Sequence, residues 1–160
     1  PNTSTSVGWN VYGGKIDTTN GNLVLIYNGS HHGWALSEDI FYNVSTVKFD
    51  MKTNAYSRIR LKVTLINQND VIVDEKIVTC DEDNAVKEVE LSFNKESVYY
   101  LKFEVMNGIG TDNSSHSGDA IIIDNLFYAI IPRINGICTF STIVVKIFLR
   151  TASFASFLSI

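Results

Sequence analysis

Apolar residues recur at every second position through most of this chain. In "SRIRLKVTLIN", Ile59, Leu61, Val63 and Leu65 alternate with Arg58, Arg60, Lys62 and Thr64. That period of two marks a strand with one face in a core and the other toward solvent or ligand. "VKFDMK" repeats it, with Val47, Phe49 and Met51 set against Lys48, Asp50 and Lys52. "VYYLKFEVMN" places Tyr99, Leu101, Phe103 and Val105 on one phase and Tyr100, Lys102 and Glu104 on the other. "NLVLIY" is apolar on both phases and bounded by Asn-Gly, which predicts a buried strand.

Polar turns at Asn67 to Asp70 and at "CDEDN" separate further strands, and a long polar loop, "GIGTDNSSHSGD", leads into "AIIIDNLFYAII". No segment before residue 132 has a helical period or helix caps. About eight or nine short strands spaced by roughly ten residues predict an all-β fold, an antiparallel sandwich or barrel.

The pattern changes after Pro132. The last 27 residues contain no acid and only Lys146 and Arg150 as charges, whereas residues 1–133 carry 17 acids against 11 bases. The expected division is therefore a domain over 1–133 and an apolar C-terminal extension over 134–160. Lys146 and Arg150 interrupt the apolar run, so a membrane span is not expected. An edge strand, a packing helix, an oligomer contact or foreign sequence all remain open for the extension. We read it as an appendage outside the functional surface.

At 160 residues the chain is long enough for a core without staples, and its net charge is −4. The basic residues are scattered, with no run of Lys and Arg interleaved with aromatics, so nucleic-acid binding is not expected. Cys80 and Cys138 lack metal-ligand spacing; pairing stays open, but they read first as two unrelated thiols, at least one of them buried. The chain opens at Pro1 without a signal segment and reads as a mature or excised fragment. No Gly-x-Ser-x-Gly elbow, Ser/His/Asp grouping or carboxylate pair stands out, so no enzyme is expected.

One stretch carries more chemistry than a strand needs: "YNGSHHGWAL", Tyr27 to Leu36. Adjacent histidines on a strand point to opposite faces and no third ligand lies nearby, which argues against a metal. What remains is Trp34 in a loop between polar groups, either capping the core or serving as a flat platform. Trp and Tyr match the C–H face of a pyranose, while Asn, Asp, Arg and His match its hydroxyls. A second group is the outward phase of the central strands, Lys48, Asp50, Arg58, Arg60 and Lys62 with Tyr56 beside them. Among these Arg58 and Arg60 stand out because guanidinium groups make paired hydrogen bonds to hydroxyls or anions. Tyr12, Tyr27 and Tyr42 are alternates whose facing the sequence does not give.

The order of features over residues 7–131 resembles the carbohydrate-binding modules of the galactose-binding-like jelly-roll superfamily. An early Gly8-Trp9 precedes a "GNLVL" strand, a loop ending in "GWAL", the "VKFDMK" and "RIRLKVTL" strands, a hairpin, "YYLKFEV" and a closing "IIIDNLFY". The resemblance implies an antiparallel jelly-roll β-sandwich that binds glycans without cleaving them. Similar domains are appended to glycoside hydrolases and occur in phage tail and baseplate proteins, so it implies an extracellular or virion setting with other subunits as partners. Trp34 matches the position that stacks on sugar in some such modules. Asp124 matches a closing-strand ligand of a structural calcium that ties the first strand to the last, although no acidic residue lies between Pro1 and Asn10 to complete it.

Together these readings give a carbohydrate site at Trp34, His31, His32, Tyr56, Arg58, Arg60 and Asp50. The competing reading is a structural or protein-protein adaptor that uses the sandwich as a scaffold and the apolar tail as its docking element.

Overall fold

In the computed structural model, residues 3–6, 8–17, 20–28, 31–54, 59–80, 85–106, 118–130, 133–134, 137–138 and 143–146 are described. All regular structure among them is β: β1 (Thr3–Ser6), β2 (Trp9–Tyr12), β3 (Gly14–Asp17), β4 (Asn22–Asn28), β5 (His31–His32), β6 (Trp34–Ser37), β7 (Phe41–Tyr42) and β8 (Val44–Thr53), followed by β9 (Ile59–Asn67), β10 (Ile72–Cys80), β11 (Lys87–Ser92), β12 (Val98–Met106), β13 (Ala120–Ile130), β14 (Arg133–Ile134), β15 (Ile137–Cys138) and β16 (Ile143–Lys146). No helix among the described residues is long and apolar enough to cross a membrane.

The alternating side chains sort these strands into two antiparallel sheets whose apolar phases face each other. Sheet A runs β1-β2-β6-β12-β9-β10, with β7 also on β12. Sheet B runs β11-β8-β13-β4-β3, with β16 also on β13 and β5 on β4. Ile59, Leu61, Val63 and Leu65 of β9 and Leu101, Phe103 and Val105 of β12 are essentially buried, as their phase requires. Sheet B answers with Leu23, Leu25, Val47, Phe49, Met51, Ile121 and Ile123. Phe103 ties the layers together: its ring meets Trp9 at 5.7 Å and Phe49 edge-on at 5.4 Å, geometry that aromatic quadrupoles favour. Gly8-Trp9 thus supplies core, and Cys80 is a buried thiol.

β13 departs from strict alternation. Its pairing with β8 shifts between Asp124 and Phe127, and Asn125 adopts φ 48°. This is a β-bulge at a residue type that tolerates the left-handed region. The extra residue resets the phase, so the inward series reads Ile121, Ile123, Leu126.

The strand part of the tail is partly visible. β16 lies antiparallel to Phe127–Ile130 of β13, and β14 pairs with β15. The rest of the apolar extension lies outside the described residues.

Candidate functional site

Two glycine crossings place the aromatic residues. β2 lies in sheet A and β3 in sheet B, joined at Gly13; β5 pairs with β4 of sheet B and β6 lies in sheet A, joined at Gly33. The crossings touch, since a Cβ on Gly13 would stand 3.0 Å from the Gly33 Cα. Ile26 fastens both: its N–H donates to the Gly13 carbonyl at 2.8 Å, and its carbonyl accepts from the Gly33 N–H at 2.9 Å. Gly13 has φ 60°, which glycine adopts without steric cost. Tyr12 and Trp34, which flank these glycines, are directly opposite each other in the ladder.

Alternation then fixes their direction. Val11 and Ala35 are fully buried, so Tyr12 and Trp34 project from the outer face of sheet A, each half-buried. Trp34 is therefore on a strand rather than in a loop, and it does not cap the core. The two rings are 5.9 Å apart between centroids and 21° from parallel.

A row of side chains extends from this pair across the sheet: Tyr12, Trp34, Glu104, Lys62 and Ile77 stand on successive strands in register. In the adjacent row, Lys102 is opposite Thr64. The Lys102 ammonium lies 5.6 Å from the Trp34 ring centroid, within cation–π reach. It also sits 3.1 Å from Glu104 Oε2, and Lys62 reaches the same oxygen at 3.2 Å. These side chains are only 20% (Glu104), 23% (Lys62) and 26% (Lys102) exposed, so the triad is held rather than freely solvated. Beside it Thr64 is buried, and its hydroxyl has no hydrogen-bond partner among the described residues.

Burial pushes the Glu104 carboxyl up, but hydrogen bonds and charge from Lys102 and Lys62 outweigh it and hold the group below the usual carboxylate range. A folded-state value below the unfolded one stabilises the protein above the unfolded value, near pH ~4.3, and that contribution fades as pH falls through the folded one. Glu104→Gln is therefore expected to be less stable than wild type at neutral pH, with the gap closing in acid. Urea unfolding as a function of pH checks this; a constant gap would show that the ion pairs are not its source.

The sequence-predicted residues separate between the two sheets. Arg60 shares the outer face of sheet A, opposite Met106 and Thr79. His32 packs against Tyr27, 5.4 Å between ring centroids, where β5 joins β4. Asp50 is not part of the Trp34 face: it sits on β8 in sheet B, on the opposite side of the sandwich, because β8 and β9 belong to different layers. The His31 side chain and all of Tyr56 and Arg58 lie outside the described residues, as does the loop over 107–117. Tyr12, Lys102 and Glu104 join Trp34 through strand pairing, which one sequence does not reveal.

On sheet B, Asp50 faces Glu88 on one side and Asp124 on the other, a like-charge alignment that destabilises a ladder. Asn125 relieves it from the bulge: its Nδ2 donates to Asp50 Oδ2 at 2.8 Å and its N–H to Asp124 Oδ1 at 2.7 Å. Asn22, Lys52, Val86 and Ile122 complete a cleft of about 190 Å³ around these groups.

The calcium implied by resemblance would have to draw its ligands from both sheets to tie the first strand to Asp124. Asp124 lies between β8 and β4 in sheet B, whereas β1 pairs with β2 in sheet A. Among the described residues no three of His, Cys, Asp and Glu are set to hold a metal. Adding EDTA or millimolar Ca²⁺ is expected to leave the melting temperature unchanged; a Ca²⁺-dependent rise of more than a few degrees would overturn this.

Comparison with known proteins bears on the fold. A scan against protein-family models finds no match, and neither does a search of curated proteins. Solved structures of family 29 carbohydrate-binding modules are similar. An aspartate-to-alanine variant of the module CBM29-2 superposes with TM-score 0.51 at 16% identity, over 78% of each chain. A second family 29 structure gives TM-score 0.50 at 14% identity, over 78% of this chain and 80% of that one. An arginine-to-alanine variant gives 0.50 at 15%, over 78% and 84%. At such identities the likeness establishes the architecture: an all-β, two-sheet jelly-roll sandwich of the kind these modules use.

Proposed function

We propose that the chain is a non-catalytic carbohydrate-binding module. The observation that carries this reading is the Tyr12–Trp34 pair, two aromatic rings held 5.9 Å apart on the outer face of sheet A next to fixed hydrogen-bonding groups on Lys102, Glu104 and Lys62. A pyranose needs this combination, an apolar ring for its C–H face and polar groups beside it for its hydroxyls. The rigid sheet beneath lowers the ordering cost of binding. The sandwich shared with family 29 carbohydrate-binding modules supports the reading at the level of architecture.

A single open face of this kind binds weakly, so repetition supplies avidity. That arithmetic favours a part of a larger extracellular or virion assembly, such as a phage tail or baseplate protein carrying many copies. The adaptor reading has one supporting observation: β10 lies at the end of sheet A with Val71, Ile72 and Ile77 about half exposed.

A glycan array probed with the chain displayed multivalently tests the proposal, with Trp34→Ala as control. Binding by wild type that is lost in the variant is the expected result. Absence of any bound glycan would return the adaptor reading to the front, and equal binding by both proteins would show that Trp34 is not the platform.

A further inference from the structure

We infer that the Tyr12–Trp34 face selects anionic polysaccharides, the aromatic pair taking a sugar ring while its carboxylate or sulfate lies against Lys62 and Lys102. This inference rests on the carbohydrate-binding reading and narrows it to a charge class.

Three observations carry it. First, Lys62 and Lys102 share a single acceptor atom, Glu104 Oε2. Two ammonium groups and one carboxylate leave the triad with one surplus positive charge. Each ammonium has three donors and gives one to Glu104, so the remainder can be directed at a ligand. The triad also shows in miniature what the lysines donate to, namely a carboxylate oxygen held between them.

Second, the two faces of the sandwich differ in charge. The outer phase of β9, β10 and β12 carries Arg60, Lys62 and Lys102 against Glu75 and Glu104. The outer phase of β8, β11 and β13 carries Asp50, Glu88, Glu90 and Asp124 against Lys48 and Lys52. In a chain of net charge −4, these strands leave a small positive excess on the aromatic face and a negative excess on the far sheet. An anionic chain is drawn toward one face and repelled by the other.

Third, Thr64 is only 1% exposed and its hydroxyl has no partner among the described residues, in register with Lys102 and two residues along β9 from Lys62. A buried polar group without a partner costs stability unless it is used. An incoming anionic oxygen that draws the lysine heads aside gives this hydroxyl an acceptor. A neutral hydroxyl also accepts a hydrogen bond from Thr64, but it does not offset the surplus charge of the triad.

The test uses matched pairs of polysaccharide that differ only in charge: homogalacturonan before and after complete methyl esterification, oxidised cellulose with glucuronate units beside soluble cellulose, and dextran sulfate beside dextran. Isothermal titration or affinity electrophoresis with the full chain reads each pair. The expected result is a preference of about tenfold or more for the charged member of at least one pair. That preference should weaken several-fold between about 0.02 M and 0.2 M salt, disappear in Lys62→Gln and Lys102→Gln, and survive in Lys62→Arg. The uronate and sulfate arms identify which anion is read. Equal binding of both members in every pair, or a preference untouched by salt and by both glutamine variants, overturns the inference and leaves the carbohydrate reading standing. Failure of every polysaccharide, neutral or charged, overturns both.

Discussion

Alanine at position 33 is expected to abolish cooperative folding of the sandwich, although the substitution adds one methyl group. That methyl would collide with the Gly13 carbonyl oxygen and would stand 2.6 Å from the Ile26 oxygen and 2.7 Å from the Ile26 nitrogen. All three atoms are backbone and cannot rotate away as a side-chain tip would. Nor can the strands part cheaply. Ile26 bonds to both glycines, and the Gly33 carbonyl accepts from the Val105 N–H at 2.9 Å, so this one residue is tied to both sheets. Relieving the clash means breaking several of these buried bonds at about 1–3 kcal/mol each, plus roughly 1–3 kcal/mol of overpacking strain. A domain of this size has about 5–15 kcal/mol in total. Gly118→Ala is the contrast: a Cβ there meets nothing within 4 Å, so only its φ of 103° opposes alanine, at about 1–2 kcal/mol. Thermal unfolding followed by circular dichroism separates the two. A Gly33→Ala protein melting within a few degrees of wild type would show that the crossing relaxes easily.

The difference between what the sequence foretold and what it hid follows from what alternation encodes. A period of two states which residues face the core, and for Ile59 to Leu65 and Tyr99 to Val105 it states this correctly. It does not state which sheet the strand joins. Asp50 and Arg60 occupy equivalent outward phases in consecutive long strands, yet they end on opposite sides of the molecule because β8 and β9 lie in different layers. Trp34 is harder to place because "GSHHG" interrupts the pattern at the point where the chain changes sheets. Once Gly33 is recognised as a crossing, Ala35 and Ser37 mark the buried phase and Trp34 falls outside it. Tyr12 stands among the alternates that the sequence offers, but nothing local gives its facing. Its partnership with Trp34 arises only from the register of β2 on β6, in which Tyr12 faces Trp34 and Trp9 faces Ser37. The bulge at Asn125 has a local cue, Asp-Asn inside an apolar run, but its role in separating Asp50 from Asp124 depends on a strand 75 positions earlier in the chain.

Trp34→Ala is expected to weaken glycan binding by at least about tenfold while leaving the sandwich folded. A ring at a contact of this kind contributes on the order of 1–3 kcal/mol through buried apolar area and ring geometry. Because Trp34 is on the outer phase, its loss leaves Ala35 and the core beneath unchanged, so little stability should follow it. Tyr12→Ala should produce a smaller loss, and Trp34→Phe an intermediate one, since phenylalanine keeps a flat face but covers less of the sugar. The double variant is the informative one. Two rings that act as one platform couple, so the loss in Tyr12→Ala/Trp34→Ala should fall short of the sum of the single losses by roughly 0.5–1.5 kcal/mol. Removing Trp34 also deprives the Lys102 ammonium of the ring it overlies at 5.6 Å, leaving that side chain tethered only by Glu104. If the single losses simply add, the rings serve separate subsites. If Trp34→Ala binds as wild type does while Lys62 or Lys102 variants fail, the polar triad alone makes the site and the aromatic pair is only part of the surface.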